Sequence, residues 1–219
     1  IIAAVMGLIV PLQMVSQTWD DHDRSGRYAA RDFGMNYLSS LDPNAIIFTN
    51  GDNDTFPLWY MQEMEGYRTD VRVVNTSLLM CDWYIKQFRS QYYDSDPLPL
   101  TIKQRAYTGR KNETVYLNEN SGIADKELDI KTFINLIAAE HPALLYKDMF
   151  GEYDYMIPTT HISIPVNKEN AVKYGIVDSL QAPYMEDSLH ITVGRQRGKN
   201  LSLDKKTLAF LDFLSNYEW

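Results

Sequence analysis

Two short runs rich in β-branched and aromatic residues, Ala45–Thr49 (AIIFT) and Asp70–Asn75 (DVRVVN), flank a segment that cannot continue as strand. Between them Asp54–Gly66 has the composition of a helix, with Pro57 in its first turn and Gly66 at its end, the positions that tolerate or favour those residues. A strand, a helix and a second strand joined by short links form a βαβ unit, whose strands lie parallel and whose crossover is right-handed. A further helix is expected over Asp82–Gln91, and an earlier one over Arg24–Leu41, where Tyr28, Phe33, Tyr37, Leu38 and Leu41 supply an apolar stripe before Asp42-Pro43 ends it. Residues 20–96 therefore read as an α/β subdomain of Rossmann-like type.

Beyond Pro97-Leu98-Pro99 the texture changes, and the Asp94–Pro97 run marks the expected boundary. LTIKQRAY and ETVYL on either side of Gly109 predict a hairpin or two edge strands. Helices are expected over Asp129–His141 and Lys168–Tyr174, extended chain over Met156–Val166 interrupted by Pro158 and Pro165, and a strand over His190–Val193. Asp204 is a candidate N-cap for a last helix carrying Leu208, Phe210, Leu211, Phe213 and Leu214. Residues 97–219 thus read as α+β, and the whole chain as α/β with an apolar helix at its start.

That first segment, residues 1–19, carries no charge until DDHDR begins at Asp20. As a helix its apolar part, Ile1–Val15, would reach about 22 Å at ~1.5 Å per residue, short of the ~30 Å hydrocarbon core. It lacks the basic n-region and small-residue cleavage site of a signal peptide. The favoured reading is the remnant of a last transmembrane helix, with Trp19 at interfacial depth; a buried core helix is the alternative. The chain as a whole has 219 residues, 45% hydrophobic and 23% charged, enough for a folded core. Its net charge of −8 lacks the basic excess that phosphate backbones demand, which argues against nucleic acid as a partner. A single cysteine, Cys81, supplies neither a disulfide framework nor a thiolate zinc site.

Two polar clusters are the candidate ligand-binding residues. The loop Asn50-Gly51-Asp52-Asn53-Asp54 leaves the carboxyl end of the first strand, where open α/β sheets place ligands, and Asn75 leaves the next strand at the same edge. Asp52 and Asp54 offer hard oxygens to a divalent cation, while a strand-to-helix turn with Asp54 capping the helix is the structural alternative. Asp21, His22, Arg24 and Arg27 form the second cluster, which also suits a mixed-charge helix start. Asp20-x-His22 followed by Gly51-Asp52 has the order of metallophosphatase ligand motifs, but GNH and GHxH are absent and His141, His161 and His190 stand alone. GxSxG, P-loop, HExxH and GxGxxG are absent too, so no catalytic residue and no resident cofactor is assigned. Fifteen tyrosines add aromatic faces with carboxylate neighbours, which suit carbohydrate or peptide surfaces as well as half-buried packing.

The stretches DDHDRSGRYAARDF, PNAIIFTNGDNDTFPLWYMQEMEGYRTDVRVVNTSLL, DWYIKQ and LDFLSNYEW resemble the soluble C-terminal region of large bacterial polytopic membrane proteins of unknown function. These are grouped with the GT-C glycosyltransferases similar to protein O-mannosyltransferases. The resemblance implies many membrane helices upstream, with Ile1–Val15 belonging to the last, and a soluble part on the periplasmic side of the cell membrane. It also implies that catalytic acidic residues lie in an early loop upstream of Ile1, and that transfer uses a lipid-phosphate donor without a D-x-D metal clamp. The expected function is an accessory domain that recognises an acceptor protein or glycan beside the membrane portion of its own chain, without catalysing transfer itself. A small metal-dependent hydrolase or binding protein centred on Asp52 and Asp54 is the alternative, and a rigid platform the third.

Overall fold

The computed structural model describes residues 2–198 and 200–217, together with the side chains of all of these except Ile2 and Arg197. The first and last residues of the chain, Ile1 and Trp219, lie outside the described residues. The architecture is mixed α/β. In chain order the elements are α1 (Ile2–His22), α2 (Ala29–Ser39), β1 (Ile46–Thr49), α3 (Asp52–Met64), β2 (Arg72–Asn75), α4 (Asp82–Gln87) and β3 (Thr114–Leu117). Next come β4 (Leu128–Asp129), α5 (Ile130–Ala138), β5 (Leu145–Lys147), β6 (Tyr153–Ile157), β7 (His161–Pro165), α6 (Lys168–Lys173), β8 (Ser188–Thr192), β9 (Arg195–Arg197), β10 (Asn200–Asp204) and α7 (Lys205–Leu214).

The chain divides into two compact units, Ile1–Leu41 with Phe56–Arg68, and Asp42–Thr55 with Thr69–Trp219. In the smaller unit α2 and the later turns of α3 approach closely at Gly34, which is buried. A Cβ there would lie 2.5 Å from the Pro57 carbonyl oxygen and 2.7 Å from Met61 Cγ. Leu38, Leu58 and Met61 are buried in this unit. Arg68 closes it by donating from Nη1 to the carbonyls of Leu38 (2.7 Å) and Leu41 (2.9 Å), a cation set against the carbonyl end of a helix. Helix α1 contains Pro11, and its apolar side chains from Val5 to Val15 are exposed on every side. Polar residues from Gln13 onward dilute it, and among the described residues no helix is long and apolar enough to cross a membrane.

In the larger unit β1 and β2 pair in parallel, with Ile46 opposite Arg72 and Thr49 opposite Asn75, on either side of α3 in the chain. This is the expected βαβ unit. A five-stranded sheet runs β5-β6-β3-β10-β9 and a three-stranded sheet β4-β7-β8. Both are mixed: β3 pairs in parallel with β6, and β4 with β7, while their other pairings are antiparallel. Helix α7 is central to the core. Its Leu208, Ala209, Leu211 and Phe213 are buried, and Phe213 meets Phe88 edge to face at 5.5 Å while Phe210 meets Phe48 at 4.8 Å. Helix α5 buries Ile130, Phe133, Ile134 and Ile137, an i, i+3, i+4, i+7 stripe, and Asp129 caps it by accepting from Thr132 N–H at 3.0 Å.

The expected hairpin around Gly109 does not form. Residues 104–106 make a single short turn, and the N–H groups of Thr101 and Ile102 are taken by the Asp212 carboxylate at 2.8 and 3.1 Å. Strand β3 is then free to sit in the middle of the five-stranded sheet, with Tyr116 opposite both Met156 and Ser202. Its buried Val115 needs cover on one face that a two-stranded hairpin would not supply.

Candidate functional site

The parallel register of β1 and β2 brings Thr49 and Asn75 side by side at the carboxyl edge of the pair, both buried. Side chains knit the loops that leave this edge. Asn75 donates from Nδ2 to Thr55 Oγ1 at 3.0 Å, and that hydroxyl meets Thr49 Oγ1 at 2.7 Å. Asn75 Oδ1 accepts from Ser77 N–H at 2.9 Å and Leu78 N–H at 3.3 Å, capping the short turn beyond β2. Ser77 donates its hydroxyl to the Asn50 carbonyl at 2.6 Å, and Thr76 Oγ1 lies 2.9 Å from the Thr49 carbonyl and 3.0 Å from Asn50 Oδ1. The two strand ends are thereby tied together.

Asp54 does not cap from the front of the helix. Helix α3 begins two residues earlier, at Asp52, and Asp54 reaches back so that Oδ2 accepts from Asn50 N–H and Oδ1 from Gly51 N–H, both at 2.8 Å. This is the return half of a capping box, in which a third-position acid satisfies N–H groups that the helix leaves orphaned. The Asn50 hydrogen bond, helped by those of Gly51 and its neighbours, holds the Asp54 carboxyl below its ordinary value. Asp52 and Asn53 differ from it. They occupy the exposed first turn of α3 without a side-chain partner among the described residues, so their polar groups face outward. No group of three or more His, Cys, Asp or Glu among the described residues is arranged to hold a metal ion.

The second cluster lies in the smaller unit. Asp21 and His22 close the last turn of α1, where His22 Nδ1 donates to the Thr18 carbonyl at 2.8 Å, and Arg24 and Arg27 stand in the turn beyond. Asp23 orders that turn by accepting from Ser25 N–H at 2.9 Å. The side chains of Asp21, Arg24 and Arg27 are exposed and form no ion pair with described residues.

Sequence patterns missed the charges that the fold buries. Asp212, fully buried on α7, accepts from Thr101 N–H, Ile102 N–H and, at 3.0 Å, the Tyr107 hydroxyl, and burial outweighs these bonds to raise its carboxyl above the ordinary value. Lys205, also fully buried, donates to the Gly109 carbonyl at 2.6 Å, and burial lowers its ammonium. Arg72 donates to Ser95 Oγ (3.0 Å) and to the carbonyls of Ser95 (3.0 Å) and Asp96 (2.8 Å), stapling that loop to β2. The available signal was position: Lys205 and Asp212 share one helix face with the apolar Leu208.

The family model described as TMEM260-associated domain 2 matches residues 30–219. No solved structure matches the chain.

Proposed function

The chain belongs to the TMEM260-associated domain 2 family, and on that footing we propose that it is an extracytoplasmic accessory domain of a membrane-embedded, GT-C-like protein glycosyltransferase. In this reading it recognises an acceptor protein or glycan on the periplasmic side of a cell membrane, beside the membrane portion of its own chain, and leaves the transfer chemistry to that portion. Helix α1 then continues the last membrane helix. The observation that carries the reading is the division of labour in the Asn50–Asp54 loop: Asp54 is committed to two backbone N–H groups, while Asp52 and Asn53 are presented outward on a loop held rigid from both strands. A rigid polar edge is suited to contact a ligand at low entropic cost. Arg24 and Arg27 beside α1 suit anionic headgroups or an acidic acceptor surface.

The test is a transfer assay on the complete membrane protein and on the isolated chain. The isolated chain is expected to be inert. Asp52→Asn and Asn53→Ala in the complete protein are expected to lower acceptor glycosylation about tenfold, equivalent to ~1.4 kcal/mol of recognition. Turnover by the isolated chain overturns the accessory role, and unchanged glycosylation in both variants favours a rigid platform instead. Calorimetric binding of Mg²⁺ or Mn²⁺ that Asp52→Asn abolishes would favour the metal-dependent alternative.

A further inference from the structure

The five-stranded sheet has two dissimilar faces. On one, Val115, Ile157 and Leu203 are buried in the core. On the other, the register places Tyr146 beside Asp154, Met156 beside Tyr116, and Tyr116 beside Ser202, with Asn200 two residues along β10. This second face carries a cavity of ≈ 320 Å³, at the small end of ligand pockets, which run from about 300 to 1,000 Å³. We propose that it is a binding site for a neutral saccharide, built from the rings of Tyr116 and Tyr146 and the polar groups of Glu119, Asn120 and Asn200.

The two rings are half-buried and stand at 70° with centroids 5.8 Å apart, so they form an angled aromatic corner. Their backbones are set by strand pairing, and the Tyr146 hydroxyl is directed toward the Thr114 carbonyl at 3.4 Å and Asp154 Oδ2 at 3.5 Å. The corner is therefore positioned before any ligand arrives, which limits the ordering cost of binding. Around it the Tyr116 hydroxyl, the Glu119 carboxylate and the side-chain amides of Asn120 and Asn200 have no hydrogen-bond partner among the described residues.

These groups select the ligand by chemistry. A pyranose presents an apolar C–H face, which packs on an aromatic ring, and a girdle of hydroxyls, each both donor and acceptor. Amides match such hydroxyls with a donor and an acceptor each, and a carboxylate accepts. A wholly apolar ligand would leave the four polar groups dehydrated and unpaired. An anionic polymer would meet Glu119 and no cationic side chain among the residues lining the cavity. The saccharide site is confined to this sheet face and does not depend on the Asn50–Asp54 loop.

The experiment is an amide NMR titration of the 219-residue chain with neutral disaccharides: maltose, cellobiose, mannobiose and chitobiose. At least one is expected to shift resonances clustered at residues 116–120, 145–147 and 200. Asn120→Ala and Tyr116→Ala are expected to weaken that binding about tenfold or more, Tyr116→Phe less, since it keeps the ring, and Glu186→Gln, exposed and outside the cavity, not at all. Asn120 is exposed, so its variant reports on binding even if Tyr116→Ala disturbs the sheet. The proposal is overturned if no disaccharide shifts these resonances, if Asn120→Ala and Tyr116→Phe both bind as the parent does, or if an extended peptide binds there while all four sugars fail. Equal loss of binding in Glu186→Gln would overturn the assignment to this cavity.

Discussion

At the scale of the residue, burial decides how a carboxylate responds to the hydrogen bonds it accepts. Asp54 serves two in an open loop, so its carboxyl is held low; Asp212 serves two and a hydroxyl inside the core, yet burial raises it. The linkage signs are opposite. The stabilisation from Asp54 is complete above the ordinary carboxylate range and is lost as pH falls through its lowered native value. For Asp212 the native state holds the proton more tightly than the unfolded chain. Its contribution is therefore greatest in acid and falls as pH rises from the ordinary aspartate value through the raised native one. Urea midpoints across that window are expected to decline with pH in the parent relative to Asp212→Asn, which removes the titration. At neutral pH Asp212→Asn should cost about 1–3 kcal/mol, because an amide oxygen cannot replace both carboxylate oxygens toward Thr101 and Ile102. Asp54→Ala should cost ~1 kcal/mol by loss of the cap, and equal stability of variant and parent would contradict the capping role.

The element scale is where the helix periods read well. Helix α5 and helix α7 lie where their apolar repeats put them, with Asp129 and Asp204 as N-caps; Asp204 Oδ1 accepts from Thr207 N–H at 2.9 Å. The βαβ pairing was equally legible, since two β-rich runs around one helix leave few arrangements. Gly34 was not. In an exposed helix interior Gly→Ala gains up to about 1 kcal/mol, but here the added methyl would meet the Pro57 carbonyl at 2.5 Å. Gly34→Ala is expected to destabilise by about 1–3 kcal/mol in denaturant melts, reversing the sign that propensity alone predicts. The candidate loop was legible as a cluster of Asn and Asp at a strand end, with Asp54 as its capping acid; that Asp54 caps from inside the helix by reaching back to Asn50 and Gly51 was not, because Asp52 and Asp54 spell the same turn signal.

On the scale of the whole molecule, the charge-free N-terminal segment contributes exposed surface: Val5, Leu8, Ile9 and Leu12 are each more than half exposed. Deleting residues 1–19 is therefore expected to change unfolding free energy by less than about 0.5 kcal/mol while reducing self-association, measured by urea titration and sedimentation. A large loss of stability would instead show that α1 packs on the fold.

By itself the sequence determined the features that repeat over a few residues: the helices, the Asp204 cap, the parallel βαβ pair and the acidic net charge of −8. Only the tertiary structure decided that β3 is central rather than a hairpin arm, that Lys205 and Asp212 are buried, and that Tyr116, Tyr146 and Asn200 share one sheet face. The reason is the range of the forces involved. Periodicity and capping act across one turn, whereas Tyr116 meets Ser202, and Thr101 meets Asp212, only because burying one apolar face leaves each chain segment a single place to lie.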